Sequence, residues 1–122
     1  MKVFATRVLP LKGLNKLAAA GCIVKQHSEK RELSQQELID LCQDQDFLLS
    51  IGPIKIDADF LKHCSHLKGI ALMSVGYDNV DIPAATKYNI PISNTPNVLS
   101  EATSDIAFLL MLAVSRKAFY MN

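Results

Sequence analysis

What this sequence lacks narrows its roles. Charge of one sign is missing: 13 basic and 12 acidic residues are spread along the chain and leave a formal charge of +1. That balance points away from nucleic acid and from an anionic membrane as partners. No apolar run is long. The longest, Ile106 to Val114, falls far short of the roughly 20 residues that span a bilayer. No signal-peptide pattern opens the chain, which runs at once into a strand-like segment. Cysteine is scarce and odd in number. Cys22, Cys42 and Cys64 each lie inside an expected element, so buried, reduced thiols in a cytoplasmic protein are the simplest account. The five glycines never fall two apart, so the GxGxxG nucleotide fingerprint is absent. No repeat or low-complexity linker interrupts the 122 residues, a length suited to one domain with a real core.

What is present alternates. Val3-Phe4-Ala5-Thr6 reads as a first strand, and Leu14, Leu17 and Ala18 give the following helix its apolar stripe. Gly21 suits the position just past that helix. Ile23 and Val24 mark a short second strand. Ser34-Gln35-Gln36-Glu37 is a capping box, with Leu33 and Leu38 placed for a hydrophobic staple. Phe47-Leu48-Leu49 forms a third strand, closed by Gly52-Pro53. Asp57 caps a third helix with Phe60 and Cys64 on its inner face. Ile70 to Met73 is a fourth strand, apolar throughout as if covered on both faces. Asp81 caps a helix over Ile82 to Tyr88, with Pro83 in the first turn. Ile90-Pro91-Ile92 is a fifth strand. Pro91 has no ladder N–H, so that strand belongs at an edge.

Strands and helices alternating at this spacing imply right-handed crossovers and a parallel sheet. The expected fold is α/β, a flavodoxin-like five-stranded sheet in the order 2-1-3-4-5 with helices on both faces, which leaves the fifth strand at an edge.

Ser74-Val75-Gly76 follows the fourth strand, at the carboxyl end where open parallel sheets bind ligands. Gly76 permits close approach or positive φ, and the neighbouring N–H groups then face an anion. Taken alone, the glycine reads first as a residue that turns a corner. The last helix, Ser100 to about Arg116, has Ser100 as its expected cap, with Glu101 and Asp105 at its positive end. Its run Ile106 to Val114 is apolar around the whole circumference, as in helices buried on every side. The sheet can cover one face of it. The other face requires a further domain, a second copy, or both.

Several separated motifs together carry a resemblance. Met73-Ser74-Val75-Gly76-Tyr77-Asp78-Asn79-Val80-Asp81, then Ala84-Ala85, then Ile90 to Leu99, then Glu101-Ala102-Thr103-Ser104-Asp105 resemble the D-isomer-specific 2-hydroxyacid dehydrogenases. The glyoxylate and hydroxypyruvate reductase branch is nearest, and Thr6-Arg7 with Leu9-Pro10 is similar to that branch too. The resemblance implies the N-terminal part of a longer, two-domain enzyme that reduces a small 2-oxoacid with NAD or NADP. Residues 1–99 would form the flavodoxin-like substrate-binding domain. Residues 100–122 would be the crossover helix towards a Rossmann domain. A homodimer is the implied assembly.

By the same resemblance, the N–H groups of Val75 and Gly76, with Ser74 beside them, would hold the substrate carboxylate. Val75 would also border the nicotinamide, and Thr103 would donate a hydrogen bond to the cofactor. The plainer reading of Thr103 is a first-turn residue bonded to its own backbone. The family's catalytic Arg, Glu and His have no counterpart here, since His27, His63 and His66 match none of those positions. An isolated chain of these residues is expected to be inactive. His63-Cys64-Ser65-His66 matches no strong zinc spacing and lacks a second ligand pair, so no metal site is expected. Gly52-Pro53 stands where relatives carry a larger apolar residue, which leaves chain-length preference open. The competing reading is a stand-alone, self-associating flavodoxin-like module. Thr6-Arg7 supplies no acidic pair for a phosphoacceptor, and Leu9-Pro10-Leu11 is no phosphate loop.

Overall fold

The computed structural model describes residues 1–118. Its elements are β1 (Lys2–Ala5), α1 (Leu11–Ala19), β2 (Ile23–Gln26), α2 (Gln35–Cys42), β3 (Phe47–Ser50), α3 (Ala58–His63), β4 (Gly69–Leu72), α4 (Ile82–Lys87), β5 (Ile92–Ser93) and α5 (Ser100–Ser115). The five strands form one sheet in the order β2-β1-β3-β4-β5, and every pairing is parallel. This is the expected order.

Local chemistry sets most boundaries. Ser34 accepts from the Glu37 N–H, and the Glu37 side chain accepts from Ser34 in return, so the capping box forms complete. Asp57 accepts from the Phe60 N–H at 3.0 Å, and Asp81 from the Ala84 N–H at 2.9 Å. Each satisfies a donor that the first helical turn leaves unpaired. Gly21 takes φ +74 just beyond α1, the left-handed conformation that glycine adopts without steric cost.

The two faces of the sheet differ. Alternation along the strands sends Phe4, Leu48, Ile70 and Leu72 to one face. There they join Leu38, Cys42, Phe60, Leu61, Cys64 and Ala85 from α2, α3 and α4 in one buried core. The opposite face carries Val3, Phe47, Leu49 and Ala71, and Leu17 of α1 borders it at the β1–β2 side. What remains is an open apolar trough of about 420 Å³. Helices thus lie on both faces, but β4 is not covered on both: Ala71 looks into the trough.

Three further expectations need correction. The fifth strand is Ile92–Ser93, not Ile90-Pro91-Ile92, and pairs with Ile70 and Ala71 only. Ile90 is buried in the core, and the Pro91 carbonyl accepts from Ile70 N–H at 2.9 Å. Proline thus sits at the entry to an edge strand, where its missing donor costs nothing. Ser100 does not cap α5. Leu99 holds the cap position without a side-chain bond, and Ser100 is already helical, its carbonyl accepting from the Ser104 hydroxyl at 2.8 Å. The sheet also covers no face of α5. Ile106, Phe108, Leu109, Leu110, Met111, Leu112 and Val114 are all at least half exposed. The chain leaves β5 through a turn in which Asn97 has φ +63, and this sends the helix away from the sheet.

Candidate functional site

The carboxyl ends of the strands share one rim. Thr6 follows β1, Ile51 and Gly52 follow β3, Ser74 to Gly76 lie past β4, and Asn94 follows β5. In such sheets the ligand crevice lies where strand order reverses, here between β1 and β3. That crevice is nearly filled. The Thr6 hydroxyl accepts from Ile51 N–H at 2.8 Å and donates to the Ile51 carbonyl at 3.0 Å. The cavity between Thr6, Arg7, Leu33 and Pro53 is only about 20 Å³, too small for an organic acid. Arg7 is committed as well, with Nη1 donating to the Glu29, Lys30 and Arg31 carbonyls.

One strand further on, the rim opens. Met73 N–H still donates to the Ser50 carbonyl at 2.9 Å, continuing the ladder. Beyond it the carbonyls of Ser74, Val75 and Gly76 are tied down. Ser74 O accepts from Thr95 N–H at 2.9 Å, Val75 O from Asn94 Nδ2 at 2.8 Å, and Gly76 O from the Ser74 hydroxyl at 2.7 Å. The donors are not. Among the described residues, no hydrogen bond uses the N–H of Val75 or Gly76. With acceptors fixed and donors free, the turn presents positive dipole ends to solvent, the arrangement that binds a small anion. Both residues are exposed.

Gly76 does not use positive φ, since among the glycines only Gly21 and Gly52 do. What it keeps is space. A Cβ there would meet nothing but the Asp78 carboxylate, at 3.3 Å. Asp78 is the one unfavourable charge beside the turn, and being exposed it is screened by water.

Val75 also borders a second feature. With Leu99, Ser100, Thr103, Ser104 and Ala107 it lines an open groove of about 540 Å³. Val75 and Thr103, 28 positions apart in the sequence, therefore face the same groove. Ser74, Val75, Gly76 and Thr103 are brought together at one rim, at the start of α5.

Asn94 and Thr6 hold this rim together without having been assigned a part by pattern. Each is the first residue past a strand, and that position was the available signal. His63 and His66 do not meet: His63 Nδ1 lies 2.9 Å from the Asp59 carbonyl, and His66 Nε2 lies 3.0 Å from the Cys42 carbonyl. Among the described residues no cluster of His, Cys, Asp or Glu is placed to hold a metal ion. The Cys42 thiol is pushed far above its usual range, first by the adjacent Cys64 sulfur and then by burial, so it is a packing group.

A family model described as D-isomer specific 2-hydroxyacid dehydrogenase, catalytic domain, matches residues 3–120. The chain belongs to that family. Among its relatives, glyoxylate reductase of Pyrococcus furiosus is 38% identical over 115 residues, covering 94% of this chain and 34% of that protein. A crystal structure of a Thermus thermophilus protein superposes with a TM-score of 0.87 at 38% identity, covering 98% of this chain and 38% of that one. NAD+-bound 3-phosphoglycerate dehydrogenase of Entamoeba histolytica shares the fold, with a TM-score of 0.79 at 23% identity over 100% of this chain and 41% of that one. The chain thus spans about a third of the length of the curated relatives it matches. No helix among its described residues is long and apolar enough to cross a membrane.

Proposed function

We propose that this chain is the substrate-binding part of an NAD(P)-dependent D-2-hydroxyacid dehydrogenase whose substrate is a small 2-oxoacid of the glyoxylate or hydroxypyruvate type. The observation that carries the reading is the free pair of N–H groups at Val75 and Gly76, on a turn whose carbonyls are all engaged. Two adjacent free N–H donors suit a carboxylate, and donors held in place would set where the adjacent keto carbon lies. In this reading the Ser74 hydroxyl shapes the turn through the Gly76 carbonyl. The names of the glyoxylate reductases support the substrate class.

Residues 1–99 form the substrate domain in this reading, and residues 100–122 lead towards a nucleotide-binding domain. The groove shared by Val75 and Thr103 has an apolar wall and hydroxyl donors, a chemistry that fits one edge of a nicotinamide. When bound, NAD or NADP supplies the hydride. Val75 would border the nicotinamide, and the Thr103 hydroxyl would donate a hydrogen bond to the cofactor. The proton for the carbonyl oxygen would come from outside this chain, since none of its histidines lines the groove shared by Val75 and Thr103. The 122-residue chain alone accordingly turns over no 2-oxoacid.

The test is Gly76→Ala in the longer parent enzyme. The new methyl meets only the mobile end of Asp78, so folding is preserved while the carboxylate's approach is obstructed. KM for the 2-oxoacid should rise about tenfold, the equivalent of roughly 1.4 kcal/mol, with KM for the cofactor unchanged. An unchanged KM for the 2-oxoacid would refute the assignment.

A further inference from the structure

The two free donors of the rim turn are aimed by different means. A trans peptide unit is planar, so its carbonyl and its N–H point in opposite directions, and among the described residues no peptide bond is cis. The Val75 N–H shares a unit with the Ser74 carbonyl, which accepts from the Thr95 N–H at 2.9 Å. That donor is held backbone to backbone. The Gly76 N–H shares a unit with the Val75 carbonyl, whose partner is a side chain, Asn94 Nδ2 at 2.8 Å. Among the described residues no other hydrogen bond reaches that carbonyl. Yet this is the unit of the turn most able to reverse. Rotating a peptide unit in place exchanges its N–H and carbonyl and carries the following residue to positive φ. The following residue here is glycine, which takes either sign of φ freely. Val75 and Gly76 are both exposed, so packing does not hold the unit. Gly76 nevertheless lacks positive φ. Asn94, half-buried beside Tyr77, Ile82 and Ile92, is the group that binds the carbonyl in this orientation.

We propose that Asn94 is a positioning residue for the anion site: its side-chain amide holds the Val75 carbonyl and so keeps the Gly76 N–H turned towards the substrate carboxylate. The inference rests on the assignment of that turn to a 2-oxoacid. Without Asn94 the reversed unit becomes accessible, and it offers the carboxylate a carbonyl oxygen, which repels it. Asn94 acts before the substrate arrives. It raises the fraction of molecules whose turn is ready, and apparent affinity scales with that fraction. The bound state is the same with or without it. Its loss therefore raises KM for the 2-oxoacid and leaves kcat alone. The placement of Asn94 is itself a product of the sheet, because β5 pairs with β4 immediately before it.

The experiment is steady-state kinetics of the longer parent enzyme carrying Asn94→Ala, Gly76→Ala or both, with thermal melts confirming that each is folded. Asn94→Ala should raise KM for the 2-oxoacid about fivefold, the scale of one net hydrogen bond. Both kcat and KM for the cofactor should stay within about twofold, a split that a general loosening of the domain would not produce. Asn94→Asp keeps the size but has no N–H to donate, so it should raise KM at least as much, and it carries the test if Asn94→Ala unfolds. In the Gly76→Ala background, Asn94→Ala should change KM less than about twofold, because alanine already resists positive φ. Effects that simply multiply would mean that the two residues act independently, and would overturn the proposal. So would an unchanged KM in Asn94→Ala and Asn94→Asp. If Gly76→Ala raises KM while the Asn94 variants do not, this inference falls and the substrate assignment stands. If none of them raises it, both fall.

Discussion

The two faces of the sheet share the same strands yet have different fates. On one face α2, α3 and α4 close over Phe4, Leu48, Ile70 and Leu72, and the side chains there are almost wholly buried. On the other, α1 stops short and leaves Phe47, Leu49 and Ala71 only partly covered. The strand residues on the two faces are equally apolar, so hydrophobicity cannot be what separates them. The difference is which helices the chain has near enough to cover each face. The closed face holds the domain together, and the open face, like α5, leaves apolar surface uncovered.

The largest expected effect tests that contrast directly. Phe60 lies fully buried under the closed face, and Phe60→Ala should cost about 3–5 kcal/mol, the usual sum of lost transfer energy and a trapped cavity. Phe47→Ala, on the open face, should cost less than about half as much, because a site already open to solvent traps no cavity. Chemical denaturation of both variants checks this, and equal losses would break the comparison.

A smaller effect locates the closed face's helices. The Asp57 carboxylate caps α3 and also accepts from Gln35 Nε2 of α2 at 2.8 Å, so it joins two of the three covering helices. Asp57→Ala should destabilise by about 1–2 kcal/mol, the upper part of the range for a lost cap. Thermal melts in which Asp57→Asn recovers most of that loss would assign it to the cap itself.

The smallest effect depends on pH. Hydrogen bonds from Arg31, then from the Ser34 N–H and hydroxyl, lower the Glu37 carboxyl from an ordinary 4.5 to about 2. A lowered folded-state value means that the contribution is complete above the ordinary value. It fades as the pH falls through the folded one. The melting temperature of the unaltered chain should therefore drop more between pH 4.5 and pH 2 than that of Glu37→Gln. Parallel curves for the two proteins would show that the box adds nothing.

How much of this was legible in the residues follows the range of the interactions. Caps at Ser34, Asp57 and Asp81 depend on partners three positions away, and their spacing declares them. Strand order followed from alternation and from Pro91. The site turn was legible as small residues after an apolar strand, and the family resemblance supplied its roles. The Thr6–Ile51 clamp, 45 residues apart, and the Asn94 bond to Val75, 19 apart, carry no local pattern. The exposure of α5 was hidden for a related reason. An apolar circumference shows that a helix wants covering, but it says nothing of whether its own sheet is within reach. Ser100 looked like a cap because serine commonly is one. The turn at Asn97 instead brought Leu99 into that position.

The central claim is that the rim turn offers its amide hydrogens to a small carboxylate, and amide-resolved NMR of the 15N-labelled 122-residue chain during a glyoxylate titration tests it most directly. Saturable shifts should centre on the N–H groups of Val75 and Gly76, with Asn94 responding through its bond to the turn and the trough residues Phe47 and Ala71 staying still. Saturable shifts that centre anywhere else on the chain, or none at all at millimolar glyoxylate, would contradict it.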